Sequence, residues 1–222
     1  MDKIQTAEEV FHKCADEYEA KFMDFDLYNP TFDIFCTSIE KQNADVLEIA
    51  CGPGNITRYL INKRPDFKIL GIDFAQNMVN LAKKNIPSAE FQLMDCKNIR
   101  TLEKKFDAIM CGFCLPYLTK EEAVQLIKDG GNLLNPGGVF YISTMEDDYE
   151  KSTFKTSSSG FVIFMHYHRA DYLTAALEEN GFEIIQVTRQ DFPEKDGTIT
   201  TDLIIIARRN AAKTKAALKV VL

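Results

Sequence analysis

Short apolar runs alternate with helical patterns through the middle of the chain. From residue 44 onward five runs predict β-strands, because each is short, nearly all apolar and bounded by turn residues. These runs are DVLEIA (45–50), FKILGID (67–73), AEFQLM (89–94), FDAIMCG (106–112) and GGVFYIST (137–144). Apolar strands that are separated by helices are typical of a parallel sheet covered on both faces.

Two of the segments between these runs have helical spacing. The apolar face of the earlier helix is formed by Ala75, Met78, Val79, Ala82 and Ile86. The apolar face of the later helix is formed by Ala123, Leu126, Ile127, Leu133 and Leu134. Thr119 and Glu122 have the spacing of a capping box, so the later helix is expected to begin there and to end at Gly137-Gly138.

Both ends of the chain depart from this alternation. At the amino end Thr6 and Glu9 predict a capped amphipathic helix, whose apolar positions are Phe11, Cys14, Tyr18, Phe22 and Phe25. A second helix is expected to start at Asn29 as N-cap, with Pro30 at its first position. Near the carboxyl end RADYLTAALEEN predicts a helix that closes on Gly181. The runs FEIIQVTR and TITTDLIIIAR follow, and QDFPEKDG between them is too short for a crossover, so these two strands should be antiparallel.

These elements predict a single α/β domain over residues 1–222, with a doubly wound, mostly parallel sheet, helices on both faces and an antiparallel hairpin at the carboxyl end. The expected parts are a helical cap (1–43), a ligand-binding core (44–144), a hairpin insertion or lid turning at SSSG (145–168), a closing helix with antiparallel strands (169–210) and a tail (211–222).

Composition narrows the class of protein without identifying a function. The formal net charge of −7 argues against a nucleic-acid partner, because binding phosphates requires concentrated basic side chains. The longest aliphatic run, LIIIA, is too short to cross a bilayer, and no secretory signal is expected at the start. The six cysteines have no framework spacing, which suits a reducing cytoplasm. We therefore expect a cytoplasmic globular protein with no membrane partner.

Candidate chemistry begins where the first predicted strand ends, in the turn CGPGN. In a doubly wound sheet, ligands bind beyond the carboxyl ends of the strands. Gly52 and Gly54 allow a tight turn and a close approach of a ligand to the backbone. Glu48 lies within the strand before this turn, Asp73 ends the second apolar run and Asp95 follows the third. Because they lie at or near the ends of consecutive strands, these three acids are expected to line one rim. Glu48 is the most informative of them, since a buried, unpaired carboxylate is costly.

Two nucleotide ligands compete for this turn. A dinucleotide-binding fold requires G-x-G-x-x-G, which places a pyrophosphate at the helix N-terminus. Here Thr57 occupies the third glycine position. Acidic groups around the loop suit a positively charged ligand better than a pyrophosphate, and S-adenosylmethionine carries an ammonium and a sulfonium.

The ordered segments VLEIACGPGNIT, GIDFAQNMV, FQLMDCKNI, FDAIMCGFCLPYLT and NLLNPGGVFYIST resemble those of the class I S-adenosylmethionine-dependent methyltransferases. The chain is most similar to the small-molecule branch that includes quinone-biosynthesis enzymes, over about residues 44–208. The resemblance implies a Rossmann-like seven-stranded sheet and in-line transfer of a methyl group to a small molecule, with S-adenosylhomocysteine as product. An NAD(P)-dependent oxidoreductase and a non-catalytic module that binds S-adenosylmethionine remain alternatives.

The resemblance also implies cofactor-binding roles. Gly52 and Gly54 would cradle the methionine part, with Glu48 holding its ammonium. Asp73 would bind the ribose hydroxyls and Met78 would pack beside the adenosine. Asp95 and the backbone of Cys96 would contact the adenine. The remaining predicted contacts are Cys111, Gly112 and Phe113 around the methyl group, and Tyr18 and Tyr28 closing over the cofactor.

Two histidines outside these segments are the first candidates for catalysis. His166 and His168 are two residues apart, so in a strand they would share a face, and an imidazole of pKa ~6.5 suits a general base. Tyr117 is a further candidate for the acceptor pocket. No metal is expected, because CGFC (111–114) lacks the second ligand cluster of a zinc site. The expected partner is a small-molecule acceptor, and the chain could be a monomer or a homodimer.

Overall fold

A seven-stranded sheet organises the fold in the computed structural model, which describes residues 6–156, 160–193 and 197–211. Its strands are β1 Asp45–Ile49, β2 Lys68–Asp73, β3 Glu90–Leu93, β4 Phe106–Cys111, β5 Leu134–Glu146, β8 Phe182–Pro193 and β9 Ile199–Arg209. The two strands β6 Thr153–Thr156 and β7 Val162–Met165 form a separate antiparallel pair.

The order of strands in the sheet is β3-β2-β1-β4-β5-β9-β8. Strands β1 to β5 are parallel, while β9 pairs antiparallel with both β5 and β8. The predicted fold is thereby confirmed: a doubly wound, mostly parallel sheet that ends in an antiparallel hairpin. The order reverses between β1 and β4, and a crevice opens at such a point beyond the carboxyl ends of the strands.

Helices cover both faces of the sheet. They are α1 Ala7–Lys13, α2 Ala15–Phe22, α3 Asn29–Ser38, α4 Asn55–Lys63, α5 Gln76–Asn85, α6 Lys120–Leu133 and α7 Ala170–Glu179. Successive residues of β1 point to opposite faces: Val46 packs with Phe35 and Leu60, whereas Leu47 packs with Ile127 and Leu173. This two-sided burial is the reason that the strands are apolar without alternation.

The amino-terminal cap differs in detail from its prediction. The capping box of Thr6 and Glu9 is present, but the expected single helix is divided into α1 and α2 by Cys14, whose backbone leaves the helical region (φ −95°, ψ 14°). Asn29 is the first residue of α3 and not its N-cap, which is Tyr28. The bend at Cys14 lets side chains of both short helices reach the sheet edge.

Gly137-Gly138 does not terminate α6, contrary to the prediction. The helix ends at Leu133 and β5 begins directly, with residues 135–138 bulging opposite Asp107 of β4. A Cβ atom on Gly138 would lie 2.9 Å from the Asn135 carbonyl oxygen, so the bulge requires a glycine. The predicted capping box of Thr119 and Glu122 is confirmed at the start of α6.

The predicted hairpin insertion is present as β6 and β7, in register from Thr153–Met165 to Thr156–Val162. Its turn at 157–159, part of the predicted β8–β9 connection (194–196) and most of the predicted tail (212–222) lie outside the described residues. Within the described ranges, no helix has the length and apolar character needed to cross a membrane.

Candidate active site

The loop between β1 and α4 bends sharply at the sheet's carboxyl edge. Gly52 and Gly54 both have positive φ, at +53° and +88°, and Ala50 adopts the same left-handed region at +57°. A Cβ atom added to Gly52 would meet the Tyr18 ring at 3.6 Å. The missing side chain therefore leaves a hollow between the loop and the cap helix α2, and a ligand can approach the backbone there.

Asp73, the last residue of β2, ties two turns together. Its Oδ2 accepts a hydrogen bond of 3.0 Å from the Gly52 amide, and its Oδ1 accepts one of 2.9 Å from the Ala75 amide. Burial raises the pKa of this carboxyl to about 6, against the lowering effect of those amides. The side chain thus fixes the glycine loop against the start of α5 and also borders the crevice.

A crevice of about 740 Å³, including its open mouth, lies along this edge. The predicted site residues that line it are Tyr18, Gly52, Asp73, Met78, Asp95, Cys96, Gly112, Phe113 and Tyr117. The structure therefore brings most of the predicted site together from the cap, β2, α5 and the ends of β3 and β4. Glu48, Gly54, Cys111 and Tyr28 do not line it.

The sequence predicted that Glu48 would lie on one rim with Asp73 and Asp95. In the structure Glu48 lies instead beneath the glycine loop, away from the rim. Only 1% of this residue is exposed. Its Oε2 accepts a 2.6 Å hydrogen bond from the Thr57 hydroxyl, while its Oε1 has no hydrogen-bond partner among the described residues. Burial raises the pKa of Glu48 to about 8. An unsatisfied buried carboxylate oxygen is costly, which marks a place where added positive charge would be stabilising.

The end of β4 is held in a strained conformation. Phe113 has a φ of +51°, which is uncommon for a non-glycine residue, and its amide donates a 3.0 Å hydrogen bond to Ser143 Oγ on β5. A Cβ atom on Gly112 would lie 2.5 Å from Ile56 Cδ1, so the strand end packs tightly on α4. Cys111 is fully buried below this point, which separates it from the crevice.

The far end of the crevice is formed by the turn after β3. Asp95 caps the short 3-10 helix Cys96–Thr101 by accepting a 2.8 Å hydrogen bond from the Lys97 amide. The Lys97 ammonium lies 3.9 Å from Asp95 and 3.4 Å from Glu122. Met78 packs here with its side chain buried.

An aromatic roof, formed by Phe11, Tyr18, Phe74 and Tyr117, covers the crevice. The Phe11 ring lies 5.0 Å from the Tyr117 ring and 5.9 Å from the Tyr18 ring. Burial raises the pKa of Tyr18 and of Tyr117 above the ordinary value of a tyrosine. Tyr28, which was expected to close over the cofactor, instead lies behind Phe113 with their ring centroids 4.9 Å apart.

The two histidines lie outside the crevice, in the segment after β7. His168 is fully buried: its Nε2 is 2.8 Å from the Leu115 carbonyl oxygen and its Nδ1 contacts the Tyr172 hydroxyl. A carbonyl only accepts, so Nε2 carries the proton and Nδ1 accepts from Tyr172. Burial lowers the pKa of His168 to about 4. Both nitrogens are therefore engaged, and His168 has no free nitrogen for a reacting group.

His166 stacks on Tyr149, and its amide donates a 2.8 Å hydrogen bond to the Pro116 carbonyl oxygen. Burial lowers the pKa of this imidazole too. Both histidines thus support the short 3-10 helix Leu115–Tyr117 from behind. Within the part of the chain that the structure describes, no three His, Cys, Asp or Glu side chains are grouped as ligands for a metal ion.

Sequence reasoning missed several residues that line the crevice. They are Phe11, Ala50, Phe74, Met94, Lys97, Cys114 and Leu118. Five of them adjoin predicted residues in the chain, and only Phe11 and Ala50 do not. Phe11 belonged to the predicted apolar face of the first helix, where helical spacing gave no sign that it would roof a ligand site.

Comparison with known proteins gives the family. The sequence profile of the family described as "Methyltransferase domain" matches residues 46–138. The 235L protein of Invertebrate iridescent virus 6, provisionally named a methyltransferase, is 33% identical over 183 residues, 76% of this chain and 68% of that protein. The trans-aconitate 2-methyltransferase of Variovorax paradoxus is 34% identical over 50% of this chain and 41% of its own length. The demethylmenaquinone methyltransferase of Thermotoga maritima is 33% identical over 34% of this chain and 33% of its own length.

Solved structures share the fold. An S-adenosylmethionine-dependent methyltransferase of Clostridium acetobutylicum superposes with a TM-score of 0.67 at 16% identity, covering 91% of this chain and all (100%) of that one. The 1,6-didemethyltoxoflavin-N1-methyltransferase of Burkholderia thailandensis superposes with a TM-score of 0.63 at 17% identity, covering 95% and 93%. The sequence relatives and this shared fold agree with the predicted resemblance, and the chain belongs to the class I S-adenosylmethionine-dependent methyltransferases.

Proposed function

We propose that this protein transfers the methyl group of S-adenosylmethionine to a small-molecule acceptor. The observation that carries the proposal is the crevice itself, in which the Gly52 backbone and the Asp73 carboxylate adjoin an enclosed aromatic space. S-adenosylmethionine supplies an electrophilic methyl group on a sulfonium. The residues around the crevice have the chemistry needed to hold such a ligand.

The residues fit the cofactor by charge and by shape. The hollow at Gly52, which a Cβ atom would fill, would receive the methionine part, and the orphaned Glu48 oxygen beneath it would balance an ammonium. Asp73 retains lone pairs that can accept hydrogen bonds from ribose hydroxyls. Met78 and Asp95 would contact the adenine end.

The dinucleotide alternative is less favourable for this loop. Thr57 stands at the third glycine position, is fully buried and donates its hydroxyl to Glu48 at 2.6 Å. A pyrophosphate needs amide donors and positive potential, and the buried acid beneath this loop, with one oxygen unpartnered among the described residues, supplies no positive potential. An NAD(P)-dependent oxidoreductase therefore remains only as an outcome of the test below.

A small acceptor suits the enclosure. Phe11, Tyr18 and Tyr117 line the crevice together with Phe113, and the chain's net charge is −7. Two relatives are named for methylating small molecules, trans-aconitate and demethylmenaquinone. A polymer with a phosphate backbone would be repelled by the net negative charge of the chain.

Positioning is the main catalytic task for such a site. Holding an acceptor atom in line behind a methyl group lowers the barrier by roughly 7–11 kcal/mol. The strained Phe113 and the fixed Gly52 loop are the groups that would do so. Tyr117 borders the crevice with its pKa raised, so its phenol would donate a hydrogen bond and not take a proton. His166 and His168 do not line the crevice, so neither is proposed as the base.

Labelled turnover tests this proposal. The protein is incubated with S-adenosylmethionine labelled in its methyl group and with fractionated small-molecule extracts, and label is sought on low-mass products. We expect label to accumulate in at least one fraction, and Asp73→Ala to reduce it at least tenfold. Cofactor binding without turnover in any fraction would favour the non-catalytic module, and thermal stabilisation by NADH alone would favour the oxidoreductase.

A further inference from the structure

A buried carboxylate lies at the carboxyl edge of the sheet but outside the crevice. Asp202 of β9 is only 3% exposed and pairs in register with Met145, near the end of β5. Because β9 is antiparallel to β5, this part of β9 lies at the same edge as the ends of β1, β2 and β4. Burial of a carboxylate is costly without hydrogen-bond donors. Asp202 lies beside the end of β5, the strand on which Ser143 accepts the hydrogen bond from the Phe113 amide.

Tyr28 connects Asp202 to the crevice. Its hydroxyl donates a 2.6 Å hydrogen bond to Asp202 Oδ2 across the cap and the sheet. Its ring lies 4.9 Å from that of Phe113, which lines the crevice. Tyr28 itself is half-buried. The Tyr28 ring thus lies one ring beyond the crevice, on the Phe113 side, and its hydroxyl links it to Asp202.

The surroundings of Tyr28 determine what it can bind. Burial first, and the neighbouring Asp202 carboxylate second, raise the pKa of Tyr28. The Tyr28 phenol therefore keeps its proton and donates it in the hydrogen bond to Asp202. The lone pairs of the phenol oxygen can accept a hydrogen bond from a ligand. The ring centroid of Phe25 lies 5.7 Å from that of Tyr28 and 6.0 Å from that of Phe192, so apolar rings pack beside the Tyr28 ring. Aromatic faces with a hydrogen-bond acceptor among them match a flat ring that carries a hydroxyl group.

We propose that Tyr28 and Asp202 recognise and deprotonate an aromatic hydroxyl group on the methyl acceptor, which rests on the methyltransferase function proposed above. The acceptor oxygen forms its bond to the methyl carbon as the S–CH3 bond breaks and its electron pair stays on sulfur. The acceptor proton passes to the Tyr28 oxygen while the Tyr28 proton passes to Asp202. The sulfonium and carboxylate charges are both neutralised. Tyr28 is a catalytic residue in this step and Asp202 a positioning residue.

A matched pair of probes tests the recognition without turnover. The protein is saturated with S-adenosylhomocysteine at mildly acidic pH, and binding of 4-nitrophenol is compared with that of 4-nitroanisole, which has the same ring but no hydroxyl proton. We expect the wild type to bind the phenol about tenfold more tightly, the effect of one well-formed hydrogen bond. Tyr28→Phe should abolish this preference. Asp202→Asn, whose amide oxygen still accepts the Tyr28 hydrogen bond and which should therefore fold, should lower the preference at least threefold.

Control variants separate recognition from structural support. Tyr59 donates a 2.7 Å hydrogen bond to Asp33 on the face of the sheet covered by α3 and α4, so Tyr59→Phe removes a similar bond away from the crevice. This control should keep the tenfold preference, and all variants should keep wild-type affinity for S-adenosylhomocysteine. Failure of the wild type to bind the phenol, an unchanged preference in both site variants, or a parallel loss of S-adenosylhomocysteine affinity would overturn the proposal. Failure of the wild type to bind S-adenosylhomocysteine would instead overturn the methyltransferase function.

Discussion

Asp73 and Glu48 are both buried acids near the glycine loop, yet they act differently on it. Asp73 accepts hydrogen bonds from Gly52 and Ala75 and so maintains the shape of the loop. Glu48 has one oxygen bonded to Thr57 and one without a partner among the described residues. At the scale of single residues, the first carboxylate organises the binding surface, and the second is an electrostatic cost that a cationic ligand would relieve.

Because burial raises the pKa of Glu48, the free energy of unfolding should fall as the pH rises. Its pKa is raised from 4.5 to about 8 by burial, so the folded state binds more protons than the unfolded state between those values. The stability that this carboxyl contributes is complete below pH 4.5 and is lost as the pH rises through 8. The wild type should therefore lose about 1.4 kcal/mol per pH unit over that range relative to Glu48→Gln, which does not titrate.

Urea unfolding of both proteins without cofactor, at intervals across this range, measures the difference. Thr57→Ser, which keeps the hydroxyl donor to Glu48, is the matched control and should follow the wild type. A constant difference in unfolding free energy between the wild type and Glu48→Gln would show that Glu48 is already ionised in the folded protein.

At the scale of elements, the segment 166–168 supports the site from behind. His166 and His168 both bond the 3-10 helix Leu115–Tyr117, whose last residue lines the crevice. The hairpin of β6 and β7 leads directly into this segment. The predicted lid is therefore linked by hydrogen bonds to one wall of the crevice.

His168 should act on stability and not as a base. The folded-state pKa of about 4 lies below the ordinary 6.5 because the imidazole is buried neutral. Its contribution to stability is complete above pH 6.5 and is lost as the pH falls through 4, by about 1.4 kcal/mol per pH unit. His168→Gln, whose amide can still donate to Leu115, should show no such loss relative to the wild type. Urea unfolding at several pH values checks this.

Measuring turnover distinguishes a role of His168 in stability from a role as general base. The Gln variant should retain turnover at neutral pH wherever it is folded, because no proton of the reaction passes through this residue. A large fall in turnover with unchanged stability and unchanged cofactor affinity would restore His168 as a base.

The strands were predictable because each is an apolar run of strand length, and β1 and β2 match their predictions to within one residue. The carboxyl end of α6 could not be predicted, because glycine marks both helix ends and strand bulges. Only the packing of Gly138 against Asn135 and Asp107 shows that this glycine belongs to a bulge. The break at Cys14 was also hidden, since the apolar spacing continues through it.

The candidate site was predictable where it follows from strand ends. Asp73 ends a predicted strand, Asp95 and Phe113 each follow one, and a parallel sheet brings such positions to one edge. Contacts between distant elements could not be predicted: the bond from Tyr28 to Asp202 joins residues 174 positions apart. The burial of His168 likewise depends on Leu115 and Tyr172, which pattern analysis does not bring together.

At the scale of the whole molecule, the sheet supplies the floor of the crevice and the amino-terminal cap supplies its cover. The crevice floor comes from the ends of β1, β2 and β4, while Phe11 and Tyr18 come from α1 and α2. With a formal net charge of −7, the long-range field attracts cations. On the proposed function, a positively charged nucleoside would be attracted at a distance and held by the acids at the crevice.

Isothermal titration calorimetry with S-adenosylhomocysteine tests the central claim, that this crevice binds the adenosyl cofactor. The wild type should bind one equivalent, and Asp73→Ala should bind at least tenfold more weakly because it loses a charged acceptor. Asp107→Ala is the control, since Asp107 is a buried acid that accepts from the Asp45 amide at 2.9 Å and from Lys41 at 2.7 Å, outside the crevice. It should lose stability but keep the affinity. Absence of binding heat with the folded wild type, or equal affinity in both variants, would contradict the account.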